Sequence, residues 1–350
     1  MGDSANFLEP EKVTIIDDTT CGLKGIIVIH NTILGPALGG TRMHPYSSLE
    51  EAGETALKLA RAMTYKNALA GLKLGGGKAV LIGNPETDKT EEKLRLYGMY
   101  VDALAGAYIT CEDSGTKEED MNIIAKETRF VTGTSKDSGN PAYMTAIGGF
   151  YGIKACLEIA YGNSNVGRKT FAIKGLGEVG FRLAEFLYGS GGKLTVADIN
   201  EKRLEKARQK MPEAKITDPD NIHQEIIDVY CPCSLGGEIN SKTVNELSCD
   251  IVAGLANNIL ENYSVGNALH DMGIFYAPDF AINSGGVRNI AIGLRKSGYS
   301  LEVAFENALQ IHSLIKTILE RSIEMDTPSY IVANQMAEEI LLKAKTGGAT

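Results

Sequence analysis

The chain has 350 residues, of which 39 are glycine, and its 35 basic and 44 acidic residues give a formal net charge of −9. At roughly 100–200 residues per domain this length predicts two domains, and 43% hydrophobic with 23% charged residues excludes a largely disordered chain. The acidic balance and lack of a basic run argue against nucleic acid as a partner, because phosphate contacts dominate such binding. No apolar run reaches the roughly 20 residues of a membrane span, and the start lacks a secretory pattern, so we expect a cytoplasmic protein.

The six cysteines and five histidines show no metal-binding pattern. Cys231-Pro232-Cys233 lacks the spacing of a zinc C-x-x-C pair, and no histidines form an H-E-x-x-H motif. Without a secretory signal a disulfide framework is not expected either. We therefore expect no metal, and we interpret the Cys231–Cys233 pair as buried thiols at a strand end.

Strand-like and helical patterns alternate in the first part of the chain. Strands are predicted over 25–30, 78–82 and 107–110, the last leading to Asp113. Ser48-x-x-Glu51 forms a capping box, the signature of a helix start. Apolar residues then recur at three- and four-residue spacing as far as Met63, and one further step along this face reaches Lys66. A second helix is predicted over 94–104.

A Pro/Gly/Ser-rich stretch at 135–141 predicts a linker. Beyond it, strands at 170–174, 193–197, 228–231, 250–255 and 273–277 alternate with helical patterns, which is typical of a doubly wound sheet. The sequence thus predicts an α/β protein with an N-terminal α/β domain over 1–140 and a Rossmann dinucleotide-binding domain over 141–327. A last helix over 328–350 is a candidate to pack back on the first domain.

The sequence Gly175-Leu176-Gly177-Glu178-Val179-Gly180 fits the G-x-G-x-x-G pattern between a strand and a helix. In that position the first glycine permits a tight turn, the second lets backbone approach a pyrophosphate, and the third lets helix and strand pack closely. An acid about 20 residues later binds the ribose hydroxyls and repels a 2′-phosphate, which favours NAD over NADP, although Lys202 and Arg203 lie nearby. The alternative is a strand–helix turn without a ligand. The predicted cofactor-binding residues here are Gly175, Gly177, Glu178, Val179, Gly180 and Asp198.

Three glycines precede Lys78, but Leu72 and Ala79 break the phosphate-loop pattern. We interpret the glycines as room for a ligand near the backbone. Lys78 begins a buried-looking strand, where lost hydration and a second cation such as Lys66 favour the neutral amine needed for proton transfer. The alternative for both lysines is a solvated surface position. Asp113, at a strand end, is either a proton shuttle or a cap of the following loop.

These motifs resemble the glutamate/leucine/phenylalanine/valine dehydrogenase family, most nearly its leucine dehydrogenase branch. The resemblance covers nearly the whole chain in order, through GPALGGTRMHP (35–45), ARAMTYKNALAGLKLGGGKAV (60–80), YITCEDSGT (108–116), KGLGEVG (174–180), CPCSLGGEIN (231–240), VAGLANN (252–258) and YAPDFAINSGGV (276–287).

The resemblance implies reversible NAD(P)-dependent oxidative deamination of an L-amino acid bound in a cleft between the two domains, by a homo-oligomer. It assigns Lys66 to the substrate α-carboxylate, Lys78 to the general base that activates water, and Asp113 to proton transfer at the substrate nitrogen. It further places Gly39 and Gly40 beside the substrate.

By the same resemblance, Asn257 and Asn283 lie near the nicotinamide and its ribose. Glutamate-specific relatives carry a lysine where this chain has Leu38 and a hydroxyl residue where it has Ile290. A substrate carboxylate there would be buried unpaired, at a cost of several kcal/mol, so glutamate is rejected. The apolar substrate residues expected are Leu38, Met63, Cys111, Val287 and Ile290.

An apolar pocket favours leucine, valine and isoleucine together, with phenylalanine or tryptophan as the alternative. Cys111 and Ile290 are slightly bulkier than the residues that the resemblance leads us to expect, and one methylene decides only about 1–3 kcal/mol. Core packing is the structural alternative for each pocket residue.

Two other functions are alternatives to the dehydrogenase. A catalytically silent dinucleotide-binding regulator predicts the loss of a proton-transfer group, whereas Lys66, Lys78 and Asp113 are all present. A hydroxy-acid dehydrogenase would need a catalytic histidine, and no histidine has a convincing setting. We also expect ten of the 39 glycines, at 39–40, 75–77, 175, 177, 180 and 285–286, to lie where the substrate, the catalytic lysine or the dinucleotide needs close approach to the backbone.

Overall fold

A computed structural model of the chain describes residues 9–134, 140–295 and 298–347. Within this part of the chain, contacts between Cα atoms define two compact units. The first takes the described residues of Met1–Gly139, Ile290–Tyr299 and Met336–Thr350, and the second takes Asn140–Asn289 and Ser300–Gln335.

The domain ranges 1–140 and 141–327 stay predictions. The two units differ from them because residues 290–299 belong to the first unit and 328–335 to the second. Most of the predicted linker, 135–139, lies outside the described residues, and Asn140 already caps the helix that begins at Pro141. None of the described helices combines the length and apolar character that a membrane crossing requires.

The first unit is built on a mixed five-stranded sheet. Its strand order is β1-β2-β4-β3-β5, with β2 antiparallel to both β1 and β4 and with β3 parallel to both β4 and β5. Its strands and the helices between them are β1 (Lys12–Asp18), β2 (Leu23–Asn31), β3 (Ala37–His44), α1 (Leu49–Leu69), β4 (Gly75–Ile82), α2 (Glu91–Asp102), β5 (Tyr108–Glu112) and α3 (Glu118–Ile124).

Helix α1 confirms the predicted start at Ser48 and the apolar face, but the capping box is incomplete because the Glu51 carboxylate accepts from the Ser47 N–H at 2.9 Å and not from Ser48. The Ser48 side chain accepts a hydrogen bond from the Glu51 backbone N–H at 3.1 Å. Small residues at Ala52, Ala56 and Ala60 are fully buried and pack against apolar side chains of the sheet. This close approach fixes the C-terminal half of α1, which carries Lys66, over one face of the sheet.

Two strands of this sheet were not predicted, β1 and β3. Glycine is depleted in strands because it offers no side chain to pack, and β3 contains Gly39 and Gly40. Here the glycine is required, since a Cβ on Gly39 would lie 1.8 Å from the Gly77 carbonyl oxygen on β4. Strand β4 likewise begins three residues before the predicted start and includes the whole glycine triplet.

The second unit confirms the predicted doubly wound Rossmann fold. Its six-stranded sheet has the order β11-β10-β9-β6-β7-β8 with every pair parallel. Strands β7 and β8 are added on one side of β6 and β9 to β11 on the other, and ligands bind at such a switch point in these folds. The remaining elements of the chain are α4 (Pro141–Tyr161), β6 (Thr170–Lys174), α5 (Glu178–Gly189), β7 (Lys193–Ala197), α6 (Glu201–Lys210), β8 (Lys215–Ile216), β9 (Ile227–Pro232), β10 (Cys249–Val252), α7 (Tyr263–Asp271), β11 (Phe275–Tyr276), α8 (Asp279–Ile282), α9 (Gly285–Gly293), α10 (Leu301–Glu324) and α11 (Ser329–Lys345).

The last helix, α11, reaches the first unit through its C-terminal half. Residues from Met336 onward belong to that unit, and the Tyr65 hydroxyl on α1 donates a hydrogen bond to Glu338 Oε1 at 2.8 Å. Tyr65 directly precedes Lys66 in the sequence, so α11 helps to hold the end of α1 in place.

Candidate active site

The structure brings the two predicted catalytic residues together. Lys78 Nζ lies 2.7 Å from Asp113 Oδ2. Lys78 is in β4 and only 5% exposed, and Asp113 directly follows β5. Burial of a charged pair is costly unless the two charges are in contact, so this geometry is an ion pair that the surrounding fold maintains.

Gly40 makes this ion pair possible. Strand β3 lies between β4 and β5, and Gly40 is paired with Cys111 on β5. A Cβ on Gly40 would lie 2.8 Å from both the Asp113 Cβ and the Glu112 carbonyl oxygen. The missing side chain therefore lets Asp113 extend across β3 to reach Lys78.

A second cation, Arg42, contacts the same carboxylate. Its Nε lies 3.1 Å from Asp113 Oδ2. Burial by itself would raise the pKa of Asp113, but the charges of Lys78 and Arg42 outweigh it and hold the pKa below its usual value. Asp113 is consequently ionised at neutral pH and able to accept a proton.

Asp113 uses its backbone and its side chain for different contacts. Its backbone N–H donates to Thr116 Oγ1 at 3.0 Å, and its carbonyl accepts from the Thr116 N–H at 2.9 Å. The loop is thus closed mainly by the Asp113 backbone, while the carboxylate lies against two cations. This favours the proton-transfer role, which remains a prediction.

Sequence reasoning missed Arg42 because β3 was not recognised as a strand. Side chains alternate between the two faces of a strand, so Leu38, Gly40 and Arg42 share the face that carries Lys78. Alternation in ALGGTRMH was the available signal, and two glycines concealed it.

The predicted apolar residues of the first unit are mostly buried. Leu38 is fully buried on β3, and Cys111 is buried on β5 opposite Gly40. Burial raises the pKa of the Cys111 thiol to about 12, so the thiol is neutral and behaves as a small apolar group. Lys66 on α1 is half-buried and its charge acts on Cys111, which places it on this side of the sheet.

The positions of three further predicted substrate residues do not test their contact with a substrate. Met63 is half-buried on α1. Val287 and Ile290 are buried one turn apart on α9, with Val287 in the second unit and Ile290 in the first. Their roles stay predictions.

The three glycines of the turn at 175–180, called the glycine turn below, have different structural roles. Gly175 has φ +98°, a left-handed conformation that favours glycine. A Cβ on Gly180 would lie 2.0 Å from the Gly175 carbonyl oxygen, whereas a Cβ on Gly177 would meet no described atom within 4 Å. Gly177 is the N-cap of α5 and provides no side-chain cap, so open space adjoins a helix N-terminus, the setting that suits a phosphate.

This contrast predicts different outcomes for two matched substitutions. Gly177→Ala adds a methyl group to open space, so we expect unchanged thermal stability but at least tenfold weaker NAD binding, by calorimetry. Gly180→Ala forces a clash within the turn and should lower the melting temperature by several degrees. Unchanged NAD affinity in Gly177→Ala would contradict a pyrophosphate at this position.

Asp198 is buried behind the turn, with a side chain only 3% exposed. Its Oδ2 accepts a hydrogen bond from the Leu176 N–H at 2.6 Å, and its Oδ1 accepts one from the Asn200 N–H at 2.7 Å. Arg203 Nη1 lies 3.3 Å from Oδ2. The carboxylate therefore holds the glycine turn in shape, a structural function the sequence did not suggest, and its contact with a ribose stays a prediction.

The remaining predicted cofactor residues are also placed in the second unit. Asn283 Nδ2 donates to Asn257 Oδ1 at 2.8 Å and to the Ala256 carbonyl at 3.2 Å, so these two asparagines form one polar group. Glu178 is exposed beside Arg182 on α5, and Val179 is half-buried.

The expectation that ten glycines lie where substrate, catalytic lysine or dinucleotide needs close backbone approach stays a prediction, but contacts within the protein also account for most of these glycines. A Cβ on nine of the ten would lie within 3 Å of another part of the protein, and Gly177 is the exception. Gly76, for example, permits α1 to approach β4, since its Cβ would lie 2.1 Å from the Thr64 nitrogen. At these nine positions the missing side chain lets neighbouring parts of the protein approach closely, and this approach helps to determine the shape of the site.

In the part of the chain that the structure describes, no three His, Cys, Asp or Glu side chains are gathered as a metal ion would need. All six cysteines are free.

Comparison with known proteins gives the family. A model described as Glu/Leu/Phe/Val dehydrogenase, dimerisation domain, matches residues 10–130, and one described as Glutamate/Leucine/Phenylalanine/Valine dehydrogenase matches 195–342. The chain belongs to the glutamate/leucine/phenylalanine/valine dehydrogenase family. Among members of this dehydrogenase family, it is 46% identical to leucine dehydrogenase of Bacillus subtilis (strain 168) over 94% of this chain and 90% of that protein.

Two further relatives are a valine dehydrogenase and a tryptophan dehydrogenase. The chain is 39% identical to valine dehydrogenase of Streptomyces albus, covering 96% of this chain and 93% of the relative. A crystal structure of L-tryptophan dehydrogenase from Nostoc punctiforme superposes with a TM-score of 0.85 at 37% identity, covering 97% of each chain.

Proposed function

We propose that this protein catalyses the reversible NAD-dependent oxidative deamination of branched-chain L-amino acids to 2-oxo acids and ammonia. The observation that carries the proposal is the buried Lys78–Asp113 ion pair, on the same sheet face as the apolar Leu38 and Cys111. Membership of the dehydrogenase family supports the reaction class, and the leucine and valine dehydrogenase relatives support the substrate class.

Lys66, Lys78 and Asp113 have different roles in the proposed reaction. Lys66 binds the substrate α-carboxylate, and NAD, when bound, accepts the hydride that leaves the α-carbon. Water then adds to the resulting iminium carbon while the Lys78 amine takes one of its protons. Asp113 takes a proton from the substrate ammonium before the hydride leaves and returns it to the nitrogen of the water adduct. The C–N bond then breaks with ammonia as the leaving group, while the hydroxyl proton passes to the free Asp113 carboxylate and C=O forms. These proton transfers need groups within hydrogen-bond reach of one another, as Lys78 and Asp113 are.

Apolar surroundings account for the choice of amino acid. Leu38 and the neutral Cys111 thiol present no charge to a substrate side chain, so a glutamate carboxylate would be buried without a partner. An aromatic amino acid is the second candidate, because the tryptophan dehydrogenase shares 37% of the sequence and the fold.

A substrate panel tests the proposal. Purified protein is mixed with NAD and single L-amino acids, and nicotinamide reduction is followed by absorbance. We expect the highest kcat/KM with leucine, valine or isoleucine and none with glutamate. A preference for tryptophan or phenylalanine would establish the second candidate, and no turnover with any aliphatic or aromatic amino acid would refute the dehydrogenase.

We also propose a homo-oligomer assembled through the first unit and located in the cytoplasm. The family model matched to residues 10–130 is described as a dimerisation domain. Strand β1 is at one edge of the described sheet and exposes Val13 and Ile15, an apolar edge that a second copy would cover. A solution mass equal to that of one 37.5 kDa chain would contradict the assembly.

The cysteines support the cytoplasmic location. All six are free, which suits a reducing compartment.

A further inference from the structure

Two cations share one oxygen of Asp113, and only one of them is permanent. Lys78 Nζ and Arg42 Nε lie 2.7 Å and 3.1 Å from Oδ2. In the proposed reaction, on which this inference rests, Lys78 alternates between ammonium and neutral amine. An arginine guanidinium keeps its charge under all conditions in which proteins work.

The position of Arg42 is fixed by the strand that also supplies Gly40. On β3, Arg42 is paired with Val80 of β4, and the preceding Thr41 is paired with Glu112 of β5. The guanidinium therefore starts from the strand between the two catalytic partners and lies beside Asp113 with a side chain 30% exposed.

Two other charged groups lie near Asp113. Lys66, from α1, acts on the neighbouring Cys111, and this buried thiol is itself neutral. Glu112 from β5 has its pKa raised by burial and by the α3 acids Glu118 and Glu119. Among the described residues, Arg42 is thus the permanent cation seen at ion-pair distance from the carboxylate.

We propose that Arg42 is a positioning residue that keeps Asp113 ionised and directed toward Lys78 while Lys78 gives up and regains its proton. Without Arg42, loss of the Lys78 charge would remove both cations seen at ion-pair distance from a partly buried carboxylate, and Asp113 would already carry a proton when the substrate nitrogen has one to deliver. Removing a positive charge also makes protonation of the whole pair easier.

The test is the pH profile of kcat/KM for amino acid oxidation in Arg42→Met, with Arg42→Lys as the charge-conserving variant. In Arg42→Met the acid limb of the profile should move to higher pH by roughly one unit. At pH values below the limb, kcat/KM should be about tenfold lower than in the wild type, and at higher pH the two proteins should be equal. Arg42→Lys should stay near the wild-type profile. An equal loss at every pH, or no change, would overturn the proposal.

A matched control comes from Arg95, which pairs with Glu127 at 2.6 Å in the same unit, away from the site. Arg95→Met should leave the profile unchanged. If Arg42→Met does not fold, as judged by its thermal transition, Arg42→Gln offers the same loss of charge with a side chain that can still form hydrogen bonds.

A second readout separates this proposal from the proposed function. Protein carrying ¹³C-labelled aspartate is titrated by NMR, with Asp113→Asn identifying the Asp113 carboxyl signal. This signal should titrate at higher pH in Arg42→Met than in the wild type, whether or not any amino acid is oxidised. An unchanged titration would reject the role of Arg42, whereas an inactive wild type with the expected shift would reject only the proposed reaction.

Discussion

Lys78→Ala should lower kcat for branched-chain amino acid oxidation by about 10³-fold, within the range of roughly 10²–10⁴ that a positioned acid–base group contributes. The amine that accepts a proton from water is lost, and Asp113 keeps Arg42 as its cation. The affinity for NAD, measured by calorimetry, should stay within about twofold, because Lys78 and the glycine turn belong to different units.

Lys78→Arg is the matched control for this loss. It keeps a positive charge against Asp113, but a guanidinium does not release its proton at neutral pH. A comparably low kcat in both variants would show that proton transfer matters, whereas substantial activity in Lys78→Arg would reduce Lys78 to an electrostatic partner. Near-normal turnover in Lys78→Ala would remove Lys78 from the mechanism, because another group would then have to accept the proton from water.

Much of the fold follows from local sequence. The helix start at Ser48 and the small-residue face of α1 lie where they were predicted, and strands β6 and β7 begin and end at the predicted residues. In each case the signal is contained in consecutive residues: a periodic apolar face, a capping side chain, or an apolar run before glycine. The G-x-G-x-x-G pattern was informative for the same reason.

The parts that were missed depend on distant residues. Strand β3 is held between β4 and β5 despite its two glycines, since Gly39 and Gly40 are required by contacts with residues about 40 and 70 positions later. Arg42 acquires its partner only when Asp113 crosses that strand. Asp198 was linked to a ribose by its spacing, but its hydrogen bonds to Leu176 and Asn200 arise from how the turn folds over β7. Spacing along the chain could not show the hydrogen bonds of Asp198 or the cation beside Asp113, because both depend on contacts between separate segments of the chain.

The second large effect concerns Asp113→Asn. The amide is similar in size but carries no charge, so buried Lys78 and Arg42 lose their shared anion. We expect kcat to fall by about 10²–10³-fold, since the group that exchanges protons with the substrate nitrogen is gone. We also expect a loss of about 1–3 kcal/mol in the free energy of unfolding at pH 7, less than for a fully buried pair because the Asp113 side chain is 23% exposed.

The stability difference should depend on pH in a defined direction. The pKa of Asp113 is lowered in the folded protein, so its charge stabilises the fold above the unfolded-state value of about 3.9. That contribution is lost as pH falls through the lower folded-state pKa. The difference between wild type and Asp113→Asn, from denaturant unfolding, should therefore be constant over about pH 6–8 and shrink below about pH 4.

Asp120 supplies the control that separates stability from chemistry. It forms an ion pair with Lys89 at 2.6 Å, with both side chains mostly buried, and this pair holds the backbone of the loop after Asp113 at Gly115 and Lys117, not the Asp113 carboxylate. Asp120→Asn should also destabilise the protein, yet retain kcat within a few-fold at a temperature where both variants are folded. If the two variants lost activity equally, the effect of Asp113→Asn would come from weakened folding, and the carboxylate would have no separate part in proton transfer.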